Sequence, residues 1–221
     1  MIHSGDEAAW EVFYRHQIAW MSAALVRLRM DVGRPITVLD LGCGPTMEWS
    51  APWGVQVIGV DPVHVNRSVH QMIRGDATAL PLRARSVDAV VCLYSLHHIG
   101  AGAAPMRALN VCLGEIRRVL TPGGRLLVVE VLPWWPAWIG QRLAWPLLRR
   151  LVGRRLDMFF WRWAVLRERV ARVFPGAWRS EARLRVPAWA PVPIAFAWPR
   201  LRLPRWAYPF SFGLAVWGLP E

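Results

Sequence analysis

The stretch VLDLGCGPT, residues 38–46, decides the fold class of this 221-residue chain. The apolar run ITVLDL (36–41) is typical of a buried strand, and Gly42 and Gly44 follow it at once. Glycine reaches positive φ and lets a ligand approach the backbone, and in open α/β sheets ligands lie at the carboxyl ends of strands. Since a tight strand-to-helix turn also needs glycine, this motif alone leaves both a ligand site and a plain turn open.

Short apolar runs bounded by turn residues recur along the rest of the chain. Four further buried strands are predicted, at 55–60 (VQVIGV), 70–75 (HQMIRG), 87–93 (VDAVVCL) and 125–132 (RLLVVEVL). Apolar residues at three- and four-residue steps predict helices over 6–30 and 103–120, and residues 121–124 (TPGG) predict a turn between helix and strand. Strands that alternate with helices or loops indicate an α/β fold with a sheet of parallel type.

Two aspartates follow the second and third predicted strands. Asp61 lies 19 residues after Gly42, a spacing that suits a carboxylate accepting hydrogen bonds from ribose hydroxyls; the alternative is a helix cap before Pro62. Asp76 could accept a hydrogen bond from an adenine amine, or form a turn. A nicotinamide dinucleotide site is disfavoured, because its Gly-x-Gly-x-x-Gly motif needs glycine where Met47 stands.

Five motifs occur in order over residues 36–132: VLDLGCGPT, VIGVDP, GDATALPL, SVDAVVCLYSLHHI and IRRVLTPGGRLLVVE. On these motifs the chain resembles the class I S-adenosylmethionine-dependent methyltransferases. The resemblance implies a doubly wound, mostly parallel, seven-stranded Rossmann-like sheet with strand order 3-2-1-4-5-7-6 and an antiparallel last strand. It also implies S-adenosyl-L-methionine as the cofactor.

The resemblance carries a cofactor-binding role to seven positions: Asp40, Gly42, Gly44, Asp61, Asp76, Ala77 and Leu93. Asp40, Gly42 and Gly44 would shape the methionine side of the site, and Asp61 would hold the ribose hydroxyls. Asp76 and Ala77 would contact the adenine, and the backbone of Leu93 would accept a hydrogen bond from the cofactor ammonium group. Thr46 departs from the family pattern, since a third glycine often stands there.

His97 and His98 follow the fourth predicted strand and are the candidate catalytic residues. A sulfonium methyl group is already activated, so alignment and exclusion of water do most of the work, and a base helps only with an oxygen acceptor. The alternative is that the two rings only pack or form local hydrogen bonds. The other histidines are scattered and predict no metal site.

Charge and tryptophan are concentrated in the last part of the chain. Residues 1–132 hold 12 Arg against 11 acidic residues and 4 Trp, whereas residues 133–221 hold 15 Arg against 4 acidic residues and 11 Trp. An amphipathic helix is predicted over 154–174, within a helical Trp/Arg-rich insertion after the fifth strand. The insertion suits a lid over the acceptor pocket, peripheral contact of residues 133–174 with an anionic membrane surface, or nucleic-acid binding.

The expected organisation is one methyltransferase domain over 1–221. It divides into an N-terminal helix (1–34), a cofactor-binding core (35–132), a helical lid or membrane-facing segment (133–179) and the last strands (180–221). Within the last part, SFGLAVWGL (211–219) predicts the final strand, and the Pro-rich stretch 180–204 predicts a long loop.

These features predict methyl transfer to a small, hydrophobic or lipid-like acceptor. The alternative is a catalytically weak or inactive methyltransferase-like domain that docks to a membrane or a partner. Nucleic acid is disfavoured as a substrate, because related amino-methylating enzymes carry an Asn/Asp-Pro-Pro-aromatic motif where this chain has LYSL (93–96). Three unpaired cysteines, no signal peptide and no transmembrane run favour a cytoplasmic protein, with a place at the membrane periphery left open.

Overall fold

The protein is described from a computed structural model, which covers residues 4–44, 49–63, 71–99, 104–152, 158–184, 189–190, 203–204 and 210–220. The helices in these ranges are α1 Ser4–Val32, α2 Leu96–Ile99, α3 Pro105–Val119, α4 Trp135–Val152 and α5 Trp163–Val173. The strands are β1 Ile36–Leu41, β2 Val55–Asp61, β3 Gln71–Arg74, β4 Val87–Leu93, β5 Leu120–Pro133, β6 Trp178–Leu184, β7 Trp189–Ala190, β8 Leu203–Pro204 and β9 Phe210–Gly218.

Seven strands form one sheet in the order β3-β2-β1-β4-β5-β9-β6, and β7 pairs with β8 separately. The first five strands of the sheet are parallel, and β9 runs antiparallel between β5 and β6. Because β9 is the last strand of this sheet along the chain, the order is the predicted 3-2-1-4-5-7-6. The expected doubly wound sheet is thereby confirmed.

Alternate residues of the central strands pack into two separate hydrophobic layers, one on each face of the sheet. Against one face, α1 buries Met21, Leu25 and Leu28 in the same cluster as the β1 residue Val38. The opposite layer contains the β1 residue Leu39 together with apolar residues of α3 and α5: Leu109, Leu113, Ile116, Leu166 and Val170. The helices therefore leave the carboxyl ends of the parallel strands open at one edge, where the predicted ligand site lies.

The predicted helix over 154–174 is wrong in its first part. Residues 158–162 are not helical, residues 153–157 lie outside the described ranges, and α5 starts at Trp163. The backbone N–H of Phe159 donates to the His97 carbonyl at 2.7 Å, and the Gln141 amide bonds to both the N–H and the C=O of Phe160. These backbone groups are bonded to neighbouring elements, so they are not available for the internal bonds of a helix.

The predicted loop over 180–204 is wrong at its beginning, because 180–184 belong to the edge strand β6. All seven residues of β6 pair with residues of β9, which provides the backbone hydrogen-bond partners. Most of the remaining Pro-rich stretch lies outside the described ranges. The predicted turn at 121–124 lies within β5, where the register shifts and Gly123 adopts a φ of 72°. None of the described helices is long and apolar enough to cross a bilayer.

Candidate functional site

A cavity of about 800 Å³ opens at the carboxyl ends of β1, β2, β3 and β4. All seven residues to which the resemblance carried a cofactor-binding role line this cavity. The seven are Asp40, Gly42, Gly44, Asp61, Asp76, Ala77 and Leu93. Their roles toward a cofactor stay predictions, but the fold brings all of them to one place.

The turn after β1 requires glycine. Gly42 has a φ of 74° and Gly44 a φ of 64°, in the left-handed region that other residues rarely adopt. A Cβ atom on Gly42 would lie 2.6 Å from Cβ of Ser95, in the segment that follows β4. The turn and that segment are therefore in such close contact that Gly42 has no room for a side chain. The next positions of the motif, 45–48, which include Thr46 and Met47, lie outside the described residues.

Asp61 ends β2 and is buried, with 7% of the residue exposed. Its Oδ2 accepts from the backbone N–H of Gly44 at 3.1 Å, and its Oδ1 accepts from the N–H of Val63 at 2.8 Å. These two bonds fix the orientation of the carboxylate at the end of β2. The carboxylate thus fixes the glycine turn and faces the cavity at the same time.

Asp40 is the other buried acid of the cavity wall, and its partner was not found from the sequence. Trp49 is buried and donates its indole Nε1–H to Asp40 Oδ2 at 2.8 Å. A buried indole usually has an acceptor for its N–H, and a buried carboxylate needs donors. The signal available in the sequence was a lone tryptophan shortly after the glycine turn, which periodicity alone does not connect with β1.

The loop after β3 carries Asp76 and Ala77. Asp76 Oδ1 accepts from both the backbone N–H and the hydroxyl of Thr78, each at 2.7 Å. Further along, the Glu115 carboxylate on α3 accepts from the backbone N–H of Leu80 at 2.8 Å. Arg118 hydrogen-bonds to Glu115 and so lowers the pKa of that carboxyl, although partial burial opposes the effect. The predicted adenine loop is therefore held at both ends, once locally and once by α3.

The segment after β4 has a strained start at Tyr94, which adopts a φ of 53°. Its backbone N–H donates to the Val129 carbonyl at 2.8 Å, and its hydroxyl contacts the buried Gln17 of α1. Gln17 was not predicted from the sequence, because it lies 77 residues from Tyr94 and carries no local signal of that partner. The positive φ turns the chain away from β4 and brings Ser95 and His98 to the cavity wall.

The two candidate catalytic histidines occupy different environments on α2. His98 is exposed and lines the cavity. His97 is buried beside it, with Nδ1 2.6 Å from Oε1 of Glu130 on β5 and its ring stacked on Phe160. Of the two, His98 is placed to reach an acceptor in the cavity. His97 lies behind it, where the fully buried Glu130 holds its position.

Cys43 lies in the cavity wall between the two glycines of the turn. Burial, reinforced by the nearby carboxylates of Asp40 and Asp61, raises the pKa of its thiol to about 12. The thiol is therefore protonated at neutral pH and is a poor nucleophile. The other cysteines, Cys92 and Cys112, are also buried, and burial raises the pKa of each.

The charge of the wall discriminates between ligand classes. Three of its residues are aspartates, and no arginine is among its described lining residues, although the whole chain has a formal charge of +12. Among these described residues, a pyrophosphate would face three carboxylates and no arginine. A ligand with a sulfonium and an ammonium group, hydroxyls and no phosphate suits the same wall, and S-adenosylmethionine has this composition. Within the described ranges, no group of three His, Cys, Asp or Glu residues could hold a metal ion.

Comparison with known proteins points to the same family. Residues 39–128 match the family described as "Methyltransferase domain". A demethylmenaquinone methyltransferase from Paenarthrobacter aurescens is 32% identical over 127 residues, which are 52% of this chain and 47% of that protein. A demethylmenaquinone methyltransferase from Oceanobacillus iheyensis is 27% identical over 192 residues, 74% of this chain and 72% of that protein. The chain spans about half the length of most of the curated relatives it matches.

Solved structures agree on the fold. The YcgJ protein from Bacillus subtilis superposes with a TM-score of 0.57 at 17% identity, covering 94% of this chain and 99% of that one. The strand order, the acidic cavity and the matched residues are thus consistent with each other and with S-adenosyl-L-methionine as the cofactor. The resemblance to the class I S-adenosylmethionine-dependent methyltransferases, found in the sequence, is thus supported over residues 39–128.

Proposed function

We propose that the protein transfers a methyl group from S-adenosylmethionine to a small, hydrophobic, lipid-like acceptor, and that a quinone of the demethylmenaquinone type is the first acceptor to test. The observation that carries the proposal is the acidic cavity at the carboxyl ends of the strands, whose described lining residues include three aspartates and no arginine. The names of the relatives support the acceptor class. A lipid-like acceptor also supports a place for the protein at a membrane face.

The geometry of the wall supports the roles that the resemblance implies for its residues. Asp61, already oriented by two backbone N–H groups, would accept from the ribose hydroxyls. Asp76 and the backbone of Ala77 would contact the adenine from the loop that Glu115 holds. Asp40 would place its negative charge near the methionine end, supported by the Trp49 indole.

When bound, S-adenosylmethionine supplies an activated methyl group that leaves with no need for further activation. The chain itself has to align the acceptor, exclude water and accept the proton that the acceptor loses. His98 lines the cavity and is the group in place to take that proton from a hydroxyl. His97, held by Glu130, would position the neighbouring ring by direct contact, since the two ring centroids are 4.3 Å apart.

The test is a transfer assay with S-adenosylmethionine labelled in its methyl group and a short-chain demethylmenaquinone presented in its oxidised and in its reduced form. Label recovered in the organic phase, with an equal amount of S-adenosylhomocysteine formed, supports the proposal. His98→Ala should lower turnover by about 10² to 10⁴ while cofactor affinity is kept. His16→Ala removes an exposed histidine of α1 and serves as the matched control.

Two results would contradict the proposed function. If wild type binds the cofactor but methylates neither quinones nor other lipid-like acceptors, the docking-module alternative replaces it. If an RNA or a soluble polar metabolite is methylated instead, the acceptor class is wrong although the methyltransferase activity stands. Unchanged turnover in His98→Ala would remove only the role of that ring as a base.

A further inference from the structure

Helix α4 exposes a continuous row of large apolar side chains, which we call the α4 apolar row. Its members recur at every fourth residue: Trp135, Ile139, Leu143, Leu147 and Leu151. Leu143 is 77% exposed and Leu151 is 74% exposed. Single exposed apolar residues are common, but an aligned row along a whole helix marks an interaction surface.

The opposite side of α4 anchors the helix to the domain. Trp145 is buried and makes an edge-on contact with Phe159, with ring centroids 4.9 Å apart. The side-chain amide of Gln141 donates from its nitrogen to the Phe160 carbonyl and accepts at its oxygen from the Phe160 N–H. At about 100° per residue, these anchors and the centre of the α4 apolar row lie on nearly opposite sides of the helix. The exposed row is therefore directed away from the core by the way the helix is attached.

The charge around the row has one sign. Arg142 and Arg150 are exposed on the same helix, and the sequence has no acidic residue between Glu130 and Asp157. A second copy of this surface would bring arginines against arginines, which disfavours a dimer through α4. An apolar row with tryptophan at one end, flanked by arginines only, complements an anionic lipid surface.

We propose that α4 docks the protein on an anionic membrane surface, with the α4 apolar row inserted among the lipids and Arg142 and Arg150 at the headgroups. The surface is narrower than the sequence predicted for 133–174, because α5 does not contribute its apolar side. Trp163 and Leu166 of α5 are buried in the core. Only α4 combines exposed apolar residues with unopposed positive charge among the described parts of this segment.

The docked helix is connected to the acceptor side of the cavity by direct contacts. Gln141 of α4 holds Phe160, the ring of Phe160 stacks on His97, and His97 contacts His98 in the cavity wall. A lipid-like acceptor would therefore reach the domain from the side on which α4 meets the bilayer. This delivery of the acceptor rests on the proposed function, whereas the docking itself does not.

The first experiment measures co-sedimentation with vesicles in the absence of acceptor. Wild type should bind vesicles of phosphatidylcholine with phosphatidylglycerol more tightly than vesicles of phosphatidylcholine alone, and added salt should weaken the binding. The double variant Leu143→Gln/Leu147→Gln should lower the affinity at least about tenfold. Arg142→Gln/Arg150→Gln should lower it about tenfold on anionic vesicles and hardly at all on neutral ones.

Matched controls separate docking from a general loss of apolar surface. Met30→Gln/Val111→Gln also removes two exposed apolar side chains, from α1 and α3, and should bind vesicles like wild type. All variants should bind S-adenosylmethionine like wild type. The proposal would be overturned if the control pair and the α4 pair bound vesicles equally. It would also be overturned if the α4 pair lost self-association but still bound vesicles like wild type.

A labelled cysteine tests the orientation directly. The native cysteines of the described chain are buried, so Leu147→Cys can be labelled selectively with an environment-sensitive dye. Its emission should shift to the blue on anionic vesicles, whereas the same dye on Val111→Cys should not respond. A response at both positions, or at Val111 alone, would show that another face meets the lipid and would refute the proposal. Because neither readout uses methyl transfer, their outcome is distinguishable from failure of the proposed function.

Discussion

The backbone N–H of Gly44 donates a hydrogen bond to Oδ2 of Asp61 at 3.1 Å, which ties the turn after β1 to the end of β2. The carboxylate that would bind the ribose is thus also the group that holds the glycine turn in place. The same turn also contacts Ser95 after β4, so the ends of β1, β2 and β4 are linked by direct contacts. A substitution at any one of these strand ends should therefore change the cofactor affinity.

Gly42→Ala should weaken cofactor binding at least about tenfold. The new Cβ would lie 2.6 Å from Cβ of Ser95, and a φ of 74° costs a non-glycine residue roughly 1–2 kcal/mol. Calorimetry and urea unfolding measure the two effects. Gly33→Ala has the same backbone strain, at a φ of 71°, with no atom within 4 Å, so it should cost stability and leave affinity unchanged. Equal affinities of Gly42→Ala and wild type would contradict the account of the turn.

Trp49→Phe should destabilise the fold by about 1–3 kcal/mol, because it leaves the buried Asp40 carboxylate without its indole donor. Urea unfolding measures the loss, and cofactor affinity should fall with it. Trp53→Phe is the matched control, since Trp53 is 82% exposed. If the two variants were equally stable, the indole bond to Asp40 would have no structural weight.

Glu115→Gln should destabilise the protein at neutral pH, and the difference from wild type should shrink as the solution is acidified. The hydrogen bond from Arg118 lowers the pKa of Glu115 in the folded state. The stabilisation is therefore present above the unfolded value, about 4.3, and is lost as the pH falls through the lower folded value. Urea unfolding from pH 7 down to about pH 2.5, well below the unfolded value, follows the change.

The exposed pair of Glu168 with Arg172 provides the control for that experiment. Glu168→Gln should change stability by no more than about 0.5 kcal/mol, as is usual for exposed pairs on a helix. A gap between wild type and Glu115→Gln that stays constant from pH 7 down to about pH 2.5 would mean that the carboxylate charge does not hold the loop after β3.

The sequence predicted those parts of the site that depend on the backbone of one segment. The glycine turn and the aspartate at the end of β2 are such features, since a strand end and a φ angle are local properties. Contacts between distant segments were not predictable, because neither partner carries a local signal. The bond from Trp49 to Asp40 and the contact of Tyr94 with Gln17 are of this kind.

The same reasoning explains the error at α5 and the surface of α4. Several of the periodic apolar residues in 154–174 are buried, but the backbone groups of Phe159 and Phe160 bond to α2 and α4 and so lie outside a helix. The contacts of Gln141 and Trp145 determine which side of α4 faces the core. The sequence of the helix alone does not predict these contacts.

The central claim is that the acidic cavity binds S-adenosylmethionine through Asp61, and calorimetry on wild type and Asp61→Asn tests it most directly. The substitution keeps an acceptor oxygen for the turn but removes the charge. We expect binding to wild type and a loss of about ten- to a hundredfold in Asp61→Asn. Asp31→Asn, which alters an exposed contact with Arg125, should bind like wild type. Absence of binding to folded wild type, or equal affinity of Asp61→Asn, would contradict the account.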